Sequence, residues 1–111
     1  MSRSEYIDRL VRLTLEISTL LDVLPHAGPL GADVKIRVQG RMLALKTTLD
    51  HAAGDTEDLS PEGVALQIVA RRVLERIDRL AWDSEPDRKW YAVLYEARSD
   101  VEKFVQEAKT Q

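Results

Sequence analysis

Apolar side chains recur every three or four residues through three long stretches of this chain. Tyr6, Leu10, Leu13, Ile17, Leu20 and Leu24 form the first series. Leu66, Ala70, Val73, Ile77 and Leu80 form the second, and Trp90, Leu94, Ala97, Val101, Phe104 and Ala108 the third. Residues three and four apart share one face of an α-helix, so each stretch presents a single apolar seam. Such seams are stable only when buried against one another. The pattern therefore predicts an all-α fold, a compact four-helix bundle in antiparallel up-and-down order, forming one domain over 1–111.

Breakers and caps place the helices at about 3–24, 32–53, 61–82 and 85–109. Ser2 followed by Glu5 reads as a capping box, and Pro25 stops the first helix. Gly54 should end the second as a left-handed cap. Ser60-Pro61-Glu62 opens the third with an N-cap serine and a proline at the first helical position, and Ser84 and Asp87 are available to cap the fourth.

The second helix has a competitor, because Val34 to Gln39 alternates apolar and polar residues as a half-buried strand would. A lone strand would find no partner in the chain, whereas Val34, Val38, Leu45, Leu49 and Ala52 fall on one helical face, so helix is the expectation. Gly40 then lies mid-helix at a cost of about 1 kcal/mol relative to alanine. With Ala44 and Thr47 it forms a small-residue stripe that another helix could approach.

The first helix is broadly apolar. Beyond its seam it carries Ile7, Val11 and Leu21 on one flank and Leu15 and Val23 on the far side. A helix apolar over more than half its circumference is central or shared between subunits, which raises the expectation of a homodimer through helix 1.

Composition narrows the setting. The chain has no cysteine, which excludes disulfides, thiolate metal sites and thiol nucleophiles and fits a reducing compartment. No signal-peptide pattern opens it and no uncharged run is long enough to span a membrane, so the expected location is cytoplasmic, without a membrane partner. The net charge of −3 is unevenly spread. Asp55, Glu57, Asp58 and Glu62 crowd the second connection and Asp83, Glu85 and Asp87 the third. Acids just before a helix are favoured by its dipole, so much of this acidity is capping chemistry.

Little in the chain points to catalysis. His26 sits among prolines and glycines, and His51 near the end of helix 2 has no ligand partner in helical register. The acids from Asp55 to Glu62 lack the order of a calcium loop, and Pro61 intrudes. There is no nucleophile elbow and no Gly-rich phosphate loop. No catalytic residue, metal ligand or cofactor is therefore expected, and the protein reads as a non-enzyme.

Two constellations remain. Tyr91, Tyr95 and Arg98 stand at spacings of four and three beside the fourth seam, with Trp82 nearby in the preceding turn. Tyrosine, tryptophan and arginine are the residues most enriched at protein interfaces. Arg71, Arg72, Arg76 and Arg79 stripe helix 3, where guanidinium forks could follow a nucleic-acid backbone. However, Arg71, Glu75 and Arg79 also have the four-residue spacing of ordinary ion pairs on a solvated helix. The leading expectation is a non-enzymatic protein–protein interaction module, a small regulatory, adaptor or inhibitor protein of bacterial or phage type. The alternative is an accessory subunit of a nucleoprotein complex that grips nucleic-acid backbone through the arginine stripe.

Overall fold

A computed structural model describes residues 1–24, 31–55, 57–80 and 88–110. Four helices run through them: α1 (Arg3–Val23), α2 (Ala32–Gly54), α3 (Pro61–Ile77) and α4 (Arg88–Thr110). The described residues contain no strand. The alternating Val34–Gln39 stretch is thus helical, as the absence of a pairing partner dictates.

The ends follow the local chemistry, with two departures. The Ser2 hydroxyl accepts from Glu5 N–H at 3.1 Å, and Ser60 Oγ accepts from Gly63 N–H at 3.0 Å with Pro61 at the first position. Gly54, expected as a left-handed cap, stays helical. Asp55 is the C-cap at φ −77°, and its carboxylate turns the chain by accepting Glu57 N–H at 3.3 Å. Helix 3 was expected to reach residue 82 but ends at Ile77. There the bonds shorten in span, Arg79 N–H donating to Arg76 O and Leu80 N–H to Ile77 O, a tightened last turn that still delivers Leu80 to the core. The expected caps Ser84 and Asp87 lie outside the described residues, as do His26 and Trp82.

Contacts at one end of the molecule fix the helix directions. The Arg3 guanidinium donates to the Ala108 carbonyl, 2.9 Å from Nε, and so satisfies an orphan acceptor in the last turn of α4. The Met1 ammonium lies 3.2 Å from Asp58 and donates to Ser60 Oγ at the start of α3. The starts of α1 and α3 and the end of α4 therefore lie together, as an up-and-down bundle requires. Packing is not uniform round the ring: α1 lies chiefly on α4 and α2 on α3, with thinner contacts joining the two pairs.

The three seams converge on one core. Tyr6, Leu10, Leu13, Ile17, Leu20 and Leu24 are all buried, and so are Leu66, Ala70, Val73, Ile77 and Leu80. From α4 come Trp90, Leu94, Ala97, Val101 and Ala108, while α2 contributes Val38, Met42, Leu45 and Leu49. Among the described residues no charged or polar side chain is buried. Helix α1 touches all three other helices, which accounts for its apolar breadth. Leu21 is buried and Ile7 and Val23 half-buried, leaving Val11 and Leu15 at the surface. No described helix is long and apolar enough to cross a membrane.

Candidate functional site

Residues four apart stack along a helix, and α4 uses that geometry on the flank that faces α1. The rings of Tyr91 and Tyr95 are stacked, with centroids 6.3 Å apart and planes inclined by 20°. The Arg98 guanidinium also lies over the Tyr95 ring, 5.2 Å from its centroid. Arg98 also donates to Ser18 Oγ of α1 at 3.2 Å and sits 3.8 Å from the Glu102 carboxylate one turn on. Tyr91 and Arg98 are half-buried, whereas Tyr95 is 49% exposed. Helix α4 thus sets Tyr95 against a second tyrosine and a cation, and α1 holds that cation in place through Ser18. The three residues expected to share a face do share one. Along the same α1–α4 seam, Val11 and Leu15 lie beside Glu102, Val105 and Gln106 and extend the surface with aliphatic groups.

The arginine stripe of α3 is divided in its duties. Arg76 reaches across to α4, its Nε 2.6 Å from Asp100 and its terminal nitrogen 2.9 Å from Glu96. This half-buried clamp ties α3 to α4 and neutralises the arginine. Arg72 lies over the Phe104 ring at 5.6 Å. Arg71 and Arg79 are exposed. The anticipated Arg71–Glu75–Arg79 ladder is not made: among the described residues none of the three has a carboxylate–cation contact within 4 Å. Arg76 alone of the four is ion-paired within the fold, and Arg72, though it lies over Phe104, is exposed like Arg71 and Arg79. The acids that meet Arg76 come from another helix, a pairing that spacing along α3 alone could not reveal.

A second polar constellation, at the start of α3, had only part of its signal in the sequence. The Asp58 carboxylate accepts from Ser60 Oγ at 2.5 Å and from Ser60 N–H at 3.1 Å, and it pairs with the Met1 ammonium. These contacts, led by the Ser60 hydroxyl bond, hold the Asp58 carboxyl below its ordinary range. A carboxyl depressed in the folded state stabilises it above the unfolded value, and that contribution disappears as pH falls through the folded one. The wild-type melting temperature should accordingly exceed that of Asp58→Asn at pH 5 and above, with the gap closing as pH falls below about 4. Thermal melts of the two proteins across this range check the sign. A gap that widened on acidification would contradict it. The legible signal here was an aspartate two residues before an N-cap serine.

The same end of the bundle holds a groove of about 850 Å³, where α1 parts from α2 and α3. Leu13, Leu49, Leu66 and Ala70 line its base. Its rim carries Arg9, Arg12 and His51 together with Glu16, Asp55 and Asp58, so it offers no single sign of charge. Among the described residues no group of three or more histidines and carboxylates could hold a metal ion. No protein-family model matches the chain, and no curated protein or solved structure matches it either.

Proposed function

We propose that this protein is a non-enzymatic interaction module, a small regulatory, adaptor or inhibitor protein of bacterial or phage type that docks another protein against α4. The observation carrying this reading is the Tyr91–Tyr95–Arg98 stack, a half-exposed aromatic surface whose side chains lie against one another. Binding ordinarily costs about 0.5–1.5 kcal/mol for each rotamer-rich side chain it immobilises. A tyrosine that already rests against a ring and a guanidinium has less of that freedom to lose, and tyrosine and arginine are the usual anchors of interface energy.

The nucleic-acid alternative keeps Arg71, Arg72 and Arg79 as exposed cations on the stripe, while Arg76 is matched by Asp100 and Glu96. Affinity capture with tagged protein from native lysate, divided into nuclease-treated and untreated halves, tests both readings. The proposal expects one protein retained in both halves and lost when the bait carries Tyr95→Ala and Arg98→Ala. Recovery that vanishes with nuclease and ignores the tyrosine change would overturn it in favour of the arginines.

A further inference from the structure

The helix α2 has an outward stripe that the bundle does not use. Ile36, Gly40, Leu43 and Thr47, spaced by four, three and four, lie opposite its buried Val38, Met42, Leu45 and Leu49. Ile36 is 69% exposed and Leu43 61%, large aliphatic side chains given to water. Between them, a Cβ added at Gly40 would meet nothing within 4 Å. Within one chain this glycine costs the helix about 1 kcal/mol and returns no close packing. A second helix laid on the stripe would use both the glycine and the aliphatics.

We propose that this face is a self-association surface, on which α2 of a second copy of the chain packs antiparallel. A two-fold that sets Leu43 of one copy on Gly40 of the other also sets Ile36 on Thr47, and symmetry repeats both contacts. The leucine fills the room the missing side chain leaves, and the backbones approach closely, as small residues at helix contacts allow. Direction is set by charge. Residues 32–42 carry Lys35, Arg37 and Arg41 against one acid, Asp33, whereas the far end of α2 and the turn beyond carry Asp50, Asp55 and Glu57 against one base, Lys46. Antiparallel packing lays the basic half of each helix towards the acidic end of the other and brings Asp33 to the last turn, near His51. Parallel packing would set like on like. One helix face per copy is a small interface, at the weak end of specific association.

Sedimentation velocity between about 5 and about 500 micromolar protein tests this, the range in which an interface of this size associates. The full chain should move from monomer towards twice its mass. Leu43→Glu should remain monomeric throughout, and Gly40→Leu, whose new side chain meets open space within one chain, should weaken association about tenfold or more with helicity retained. A wild-type chain that stays monomeric at the highest concentration overturns the proposal. So does association unchanged by both substitutions, and loss of it on Leu15→Glu instead would assign the contact to α1.

Discussion

Replacing Trp90 by alanine is expected to cost about 3–5 kcal/mol of folding stability, the range found when a fully buried large aromatic is truncated. Trp90 is 1% exposed and heads the fully buried side chains by volume. The chain holds only two tryptophans and one phenylalanine, so the surrounding core is built from Leu, Val, Ile and Ala. A core drawn from all four helices cannot close over a hole the size of an indole, and the cavity remains. Domains of this size have about 5–15 kcal/mol in total, so a large share of the stability would be lost. In a thermal melt the midpoint should fall by more than about 10 °C, with the urea midpoint falling in parallel. A shift of only a few degrees would mean that Trp90 does not fill the core.

The second large effect is a difference in sign. Gly40 and Gly63 both lie inside helices, and alanine is the better helix former at either position by about 1 kcal/mol. At Gly40 the new methyl meets nothing, so Gly40→Ala in dilute solution should raise stability by about that amount, a few degrees in melting temperature. At Gly63 the methyl would stand 2.5 Å from the Asp58 carboxyl carbon and 2.6 Å from one of its oxygens. That carboxylate is not a loose chain end, being fixed by Ser60 and the Met1 ammonium. Making room means breaking those contacts or shifting the first turn of α3, and overpacking of this kind costs about 1–3 kcal/mol. Paired melts of the two variants should therefore move in opposite directions. Movement in the same direction would mean that Asp58 does not press on Gly63.

The two glycines also show how far the chain could be read from its sequence. A helical period runs through Gly40 and marks it as a place for close approach, which is absent there within the chain. The constraint at Gly63 is invisible to spacing because it comes from Asp58 folding back across the N-cap, a relation of turn geometry and not of period. The seams were legible because burial follows directly from helical spacing, and every residue of the first two series is buried. Phe104 is the departure in the third. It is half-buried beneath Arg72 while Val105 takes the core position, since the α3–α4 edge is closed by that arginine. Met42 was missed on α2, where Gly40 and Leu43 blur the seam.

The candidate surface was legible in part. The spacing of Tyr91, Tyr95 and Arg98 placed them on one face, but the bond from Arg98 to Ser18 depends on α1 lying alongside, as tertiary packing alone decides. The engagement of Arg76 with Asp100 and Glu96 was hidden for the same reason.

Thermal melting of the Tyr95→Ala, Arg98→Ala double variant most directly tests the claim that this stack is held for recognition and not for folding. The double change removes one half-exposed ring with its stack on Tyr91, one cation–π contact, the hydrogen bond to Ser18 and the Glu102 contact, together worth about 1–3 kcal/mol. The predicted result is a decrease well short of that for Trp90→Ala, with helicity unchanged. A collapse as large as that of Trp90→Ala would place Tyr95 and Arg98 in the structural core and contradict their assignment as a partner surface.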